Sequence, residues 1–259
     1  MEVIGNVGFA LLLTTVAGLS TGIGSSIAYF IDKPKTIYLS FSLGLSAGVM
    51  LYVSFVELLP QSLETIGELS GVIIFFLGIL FIAIIDMAIP EKENPHSFSG
   101  LSGDNSNKNN KGLMRTGLFT ALAIGIHNFP EGLATFGTAL SNPGLGIVIA
   151  IAIAIHNIPE GISVSIPIFY ATKSKNKAFA YSFLSGAAEP IGALTGYLLL
   201  LPFLTSSVLS ALLVFVAGIM VYISVDELLP MAHQYGHSHT VISGVILGML
   251  IMAFSLIIL

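Results

Sequence analysis

Eight stretches of this chain are apolar and about 20 residues or longer, the length that carries a helix across a bilayer. They lie at roughly 6–31, 37–59, 71–89, 113–140, 145–171, 178–201, 206–231 and 240–259. Backbone polar groups in hydrocarbon must be satisfied within a helix or around a closed barrel, and the apolar–polar alternation of barrel strands is absent. The sequence therefore predicts an all-α integral membrane protein, a single domain over 1–259 with eight transmembrane helices in the cell membrane. Composition agrees, with 54% hydrophobic and only 9% charged residues, against roughly one quarter charged in a soluble domain. The first stretch is preceded by no basic residue and is too long for a signal-peptide core, so it is read as a retained helix.

The charges orient the helices. All nine basic residues fall in three places: Lys33 and Lys35; Lys92, Lys108, Lys111 and Arg115; and Lys173, Lys175 and Lys177. These follow the first, third and fifth stretches. The positive-inside rule makes those connections cytoplasmic and puts both termini on the external, periplasmic side. The segment 90–112, polar and rich in Ser, Asn and Gly, is predicted to be a flexible cytoplasmic loop. Ser54-Phe55-Val56-Glu57-Leu58-Leu59-Pro60 closes the second stretch, and Ser224-Val225-Asp226-Glu227-Leu228-Leu229-Pro230 closes the seventh. These run in opposite directions through the membrane. An inverted repeat of helices 1–3 and 6–8 around a central hairpin of helices 4 and 5 is expected, the pattern of an alternating-access carrier.

The chemistry sits in that hairpin. His127-Asn128-Phe129-Pro130-Glu131-Gly132 recurs as His156-Asn157-Ile158-Pro159-Glu160-Gly161. A lone His or Glu at membrane depth is often a satisfied packing residue or a proton relay. Two copies of the same costly pattern at matching depth call for a ligand. His and Glu four residues apart share one helix face, and Asn can join from its edge. Imidazole with carboxylate and amide oxygens suits divalent ions such as zinc, iron(II), cobalt or manganese. Each Pro removes the hydrogen bond to the carbonyl four residues back, at Ile126 or Ile155, and predicts a kink and a break in the helix beside the ligands. The Ser141-Asn142-Pro143-Gly144 turn lets the two motifs face one another.

Glu189, also followed by Pro and near the middle of its stretch, is a candidate ligand from a third helix. Glu57, Asp226 and Glu227 stand near helix ends, as accessory residues that hand an ion on or as solvated carboxylates. His233, His237 and His239 are a further accessory candidate in the last cytoplasmic loop, beside the reading of that segment as a polar linker. Asp86 reads as interfacial, and His96 as part of a tether.

At these residues the chain resembles the ZIP family of divalent-metal transporters, over essentially its whole length. The resemblance implies uptake of zinc, iron(II), manganese and cobalt into the cytoplasm through two adjacent metal sites. It implies a zinc-preferring site of Glu131, His156 and Glu160, and an iron(II) site of Asn128, Glu131, Asn157, Glu160 and Glu189. Glu131 and Glu160 would bridge the two, with His127 at the edge. The single His96 departs from the His-rich central loop of many relatives.

Other classes fit less well. An intramembrane metallohydrolase using the same ligands is the alternative. It lacks His-Glu-x-x-His and leaves no carboxylate over as general base, so no enzyme and no catalytic residue is expected. There is no Cys, hence no thiolate metal site. No Gly-x-x-x-x-Gly-Lys-Ser/Thr phosphate loop is present. The expected partners are divalent ions and the bilayer, with no catalytic cofactor, nucleotide or nucleic acid; a homodimer is the assembly considered.

Overall fold

The computed structural model describes residues 2–30, 36–88, 106–200, 203, 205–234 and 237–258. Among these residues the chain is helical throughout and forms no strand. The rods are α1 (Glu2–Phe30), α2 (Thr36–Ile66), α3 (Glu68–Ala88), α4 (Ser106–Ser141), α5 (Pro143–Thr172), α6, α7 (Ser206–Gln234) and α8 (Ser238–Ile258). The sixth, α6, is made of Lys175–Gly186, Ala188–Thr195 and a wide turn over Gly196–Leu200. Six rods are long and apolar enough to cross a membrane on those grounds alone. The other two are α4, diluted by His127, Asn128 and Glu131, and α6, interrupted at Ala187. Large apolar side chains such as Leu12, Phe76, Leu80, Ile246 and Phe254 are exposed on the outside of the bundle, a surface suited to hydrocarbon rather than water.

The helices pack in two groups. α1, α4, α5 and α6 surround the two motifs; α2 packs on α8 and α7, and α3 on α7. The groups meet where α5 touches α2 and α4 touches α7. Exchanging α1 with α6, α2 with α7, α3 with α8 and α4 with α5 turns each of these contacts into another of them. Most of the apolar core lies in the second group, around Leu39, Leu43, Met50, Ile219, Met220 and Met252. It gives the motif-bearing helices α4 and α5 a packed wall.

Local structure departs from expectation in three places. The prolines of the two motifs do not break their helices: Pro130 lies inside α4, and Pro159 inside α5. Proline deletes one bond, while neighbouring turns and close packing on α1 and α6 carry the helical path through. The break is instead in α6 at Ala187, just ahead of Glu189-Pro190. Second, the two Leu-Leu-Pro segments do not end their helices. Each is preceded by one wide π turn, Val53–Leu58 and Ile223–Leu228, closed by Leu59 N–H to Ser54 O and Leu229 N–H to Ser224 O. Pro60 and Pro230 cannot donate to the carbonyl four residues back, and the wider five-residue bond accommodates that loss. Third, α4 begins at Ser106, so the end of the segment read as loop 90–112 is helical; 89–105 and His96 lie outside the described residues.

The α4–α5 turn is tight because its chemistry is local. Asn142 caps α5, its side-chain oxygen accepting from Leu145 N–H at 3.2 Å, with Pro143 in the first turn. Asn142→Ala is expected to lower stability by about 1 kcal/mol, measurable as a reduced thermal midpoint in detergent. At the other end Lys173 takes the left-handed cap conformation, φ 54°, its amide bonding Phe169 O. Lys175 Nζ donates to Tyr29 O at the end of α1, placing a cation at that helix's negative pole.

Candidate metal centre

The four-residue spacing stacks His127 over Glu131 on α4 and His156 over Glu160 on α5. Because the helices run antiparallel, each His meets the Glu of the other copy. His127 Nε2 lies 2.9 Å from Glu160 Oε1, and His156 Nε2 lies 3.1 Å from Glu131 Oε1. The first contact is a hydrogen bond. The second is out of line for one, and His156 Nε2 has no hydrogen-bond partner. His127, Asn128, Glu131, His156, Asn157, Glu160 and Glu189 are all buried, none more than 2% exposed.

The flanking helices orient the amides. Asn157 Nδ2 donates to Ala17 O of α1 at 2.9 Å and also to Glu189 Oε1 of α6. Asn128 Nδ2 donates to Ser185 O of α6 at 3.3 Å. A carbonyl only accepts, so each amide must present its nitrogen there and turn its oxygen away. Those two oxygens, Asn128 Oδ1 and Asn157 Oδ1, have no partner, and neither do Glu131 Oε2, Glu160 Oε2 and Glu189 Oε2.

Five buried acceptors without donors are unstable as they stand. Each lost bond costs about 1–3 kcal/mol, more when the group is charged. The partners of the carboxylates are imidazoles and one amide, and every Lys and Arg of the chain lies elsewhere in the sequence. Glu189 also feels the charges of Glu131 and Glu160. A multivalent cation answers both deficits, the missing donors and the excess negative charge. Among the described residues no three His, Asp or Glu side chains already converge on one point at ligand distance; here the imidazoles and carboxylates are tied to each other instead.

One supporting helix was not singled out by sequence reasoning. α1 contributes the Ala17 carbonyl, and it reaches the site because Gly18 and Gly186 face each other. A Cβ on Gly18 would stand 2.7 Å from Gly186 O, and one on Gly186 2.7 Å from Gly18 O. The signal was present in the sequence: Gly18-x-x-Thr21-x-x-Gly24 on α1 parallels Gly186-x-x-Glu189-x-x-Gly192 on α6. Thr21 thus holds in α1 the place that Glu189 holds in α6. It is buried, and its Oγ1 has no hydrogen-bond partner.

The remaining candidates lie apart from this centre. Glu57 and Glu227 sit in the π turns of α2 and α7. Glu227 is 7% exposed, with Asp86 and Asp226 as its charge neighbours. Asp86 is buried against α7, where Tyr222 donates to its Oδ2 at 3.1 Å. The three His near the start of α8 do not assemble. His233 Nδ1 bonds Leu229 O at 2.8 Å, His237 Nε2 meets Thr36 Oγ1 at 3.1 Å, and His239 is exposed.

Comparison with known proteins gives a consistent result. Residues 88–256 match the family model described as ZIP Zinc transporter. The chain is 57% identical to the zinc transporter ZupT of Chlorobium limicola, over 96% of this chain and 97% of that protein. It is 55% identical to the zinc transporter ZupT of Streptococcus mutans, over 96% of each. With the protein of the same name from Nitratidesulfovibrio vulgaris it shares 52% over 98% of each.

Proposed function

The chain belongs to the ZIP family of zinc transporters, and from that premise we propose that the crossed His–Glu centre of α4 and α5 holds the metal ion during its uptake into the cytoplasm. Members of this family are multi-pass membrane transporters, so the metallohydrolase alternative falls away. The observation that carries the proposal is the set of five buried, unpartnered oxygens on Asn128, Glu131, Asn157, Glu160 and Glu189. Each belongs to a residue that sequence reasoning had put forward as a ligand.

In this reading His156, Glu131 and Glu160 form the zinc site, and the five oxygen-bearing residues form its neighbour, which takes iron(II). Glu131 and Glu160 bridge the pair, since shared carboxylates screen the repulsion of two dications. His127 stands at the edge. Each imidazole faces a carboxylate of the opposite helix. Binding would turn Glu131 from His156, and Glu160 from His127, toward the ion. The eight rods would all cross the membrane, with both termini outside. The exchange of contacts under α1/α6, α2/α7, α3/α8 and α4/α5, together with the paired π turns, supports an inverted repeat and hence alternating access.

The test is metal influx into liposomes carrying the protein. Wild-type zinc influx should clearly exceed that of empty liposomes; equality would remove the carrier reading. Asn128→Ala and Glu189→Ala separate the two sites. Both should reduce iron(II) influx by about tenfold or more, a loss typical of ligand-shell damage, while zinc influx keeps most of its rate. An equal fall for both metals would leave a single undivided site.

A further inference from the structure

We propose that Thr21 of α1 is a specificity-determining residue: its hydroxyl holds a water that completes the shell of the ion at the oxygen-rich site. The inference deepens the two-site reading above and rests on it. It starts from a hydroxyl that bonds nothing. Thr21 is fully buried and its Oγ1 has no partner, whereas Thr14, Thr15, Ser25 and Ser26 on the same helix each donate to the carbonyl four residues back. For Thr21 that carbonyl is Ala17 O. Ser20 Oγ at 2.6 Å and Asn157 Nδ2 at 2.9 Å already donate to it, and a carbonyl oxygen has two lone pairs. A buried hydroxyl left over in this way costs about 1–3 kcal/mol, which a water would recover.

Exchanging α1 with α6 and α4 with α5 locates the hydroxyl relative to the ligands. In one copy Asn157 donates to Ala17 O, four residues before Thr21, and to Glu189 Oε1. In the other, Asn128 donates to Ser185 O, four residues before Glu189. The residue that corresponds to Glu189 for this second amide is Thr21. It stands against Gly186, where a Cβ would come within 2.7 Å of its Oγ1, as a Cβ on Gly18 would come within 3.2 Å of Glu189 Cβ. Gly186 directly follows Ser185, so the hydroxyl and the Asn128 amide meet the same turn of α6. No hydrogen bond joins them, and the amide nitrogen has a second hydrogen to give. A water set between them would accept from Asn128 Nδ2, donate to Thr21 Oγ1 and keep a lone pair for the ion.

The chemistry of the centre gives that water a task. Asn128, Glu131, Asn157, Glu160 and Glu189 offer five unpartnered oxygens, and six oxygens in an octahedron are the common arrangement around an oxygen-bound dication. Thr21 supplies the sixth through water. A Glu in its place would set a fourth carboxylate beside Glu131, Glu160 and Glu189, and affinity rises with the charge of the ligand set. A neutral, exchangeable water completes the shell without holding the ion so tightly that it cannot leave. Zinc at His156, Glu131 and Glu160 needs only four ligands. The hydroxyl therefore acts on iron(II) and not on zinc.

Thr21→Val removes the hydroxyl and keeps the shape, and Thr21→Ser keeps the hydroxyl. Each is reconstituted in liposomes beside the wild type, and initial influx is followed against iron(II) concentration under reducing conditions and against zinc concentration. Thr21→Val should raise the KM for iron(II) about tenfold, the loss typical of a group that supports metal ligands, and leave the KM for zinc unchanged. Thr21→Ser should transport both metals as the wild type does. The thermal midpoint of the metal-free valine variant in detergent should equal or exceed that of the wild type, because a buried hydroxyl without a partner has been replaced by a methyl group. An unchanged KM for iron(II) in Thr21→Val, an equal rise for both metals, or a serine variant as impaired as the valine one would overturn the role of the hydroxyl. A lower midpoint would overturn it too, by showing the hydroxyl bonded within the protein. Absence of influx in the wild type, or equal effects of Asn128→Ala and Glu189→Ala on both metals, would instead remove the two-site reading, and the inference with it.

Discussion

Replacing Glu131 by Ala is expected to bring zinc influx down to that of empty liposomes. Its carboxylate does two things at once. Oε1 faces His156 at 3.1 Å, and Oε2 is buried without a partner. In the proposed centre it also bridges both ions. Loss of groups that merely orient metal ligands lowers affinity by about 10–100-fold, so removal of a bridging ligand should exceed that range. Glu131→Gln tests charge against shape. The amide keeps the volume and one acceptor oxygen but loses the negative charge, so influx should remain low while the protein stays folded. Full zinc influx in either variant would exclude Glu131 from the path of the ion. Glu57→Gln, at a half-buried residue in the π turn of α2, should cost far less.

A second large effect is expected from a residue that binds nothing. A Cβ on Gly161 would run into the Thr21 carbonyl of α1 and come within 3.0 Å of Ser25 N. Both are backbone atoms of a packed helix, with no flexible end to move aside. Gly161→Val should therefore push α1 from α5, at a cost of about 3 kcal/mol, the upper part of the range for overpacking. The displacement also withdraws the Ala17 carbonyl from Asn157, so the amide oxygen loses its orientation. Zinc influx should fall about tenfold or more although every proposed ligand is present, and the thermal midpoint should drop with it. The control is Gly125→Ala on α4, two residues from His127, where an added Cβ meets nothing within 4 Å. That variant should fold and transport as the wild type does. If Gly161→Val did the same, close approach of α1 would not be what orients the site.

Much of this was legible beforehand because its causes are local. Helix lengths follow from the apolar runs, and predicted ends fall within a few residues of the observed ones for most rods. The pairing of His with Glu on one face is a consequence of helical pitch, so the motifs named their own residues. Where the reading slipped, a local rule met a tertiary answer. Proline beside the ligands reads as a break in the helix, yet Pro130 and Pro159 stay inside continuous helices held on both sides by α1 and α6. Leu-Leu-Pro in isolation reads as a helix end, yet Pro60 and Pro230 are accommodated by one π turn each. The partner of Asp86 was not legible, because only packing brings Tyr222 of α7 to its carboxylate.

The sequence by itself determined that the chain is helical and membrane-embedded, that its costly polar residues lie in two matching turns, and which side chains those turns display. These follow from the solvent and from the pitch of a single helix, and need no knowledge of neighbours. Tertiary structure decided which atoms meet. It crossed the two motifs so that His127 faces Glu160 and His156 faces Glu131. It also set the Ala17 and Ser185 carbonyls against the two amides, leaving five oxygens turned to one another's vicinity without donors. That arrangement depends on the close approach of helices more than a hundred residues apart in the chain, fixed by Gly18 against Gly186 and by Gly161 against Thr21. Such contacts have no periodicity to read, because each half of them lies in a different helix.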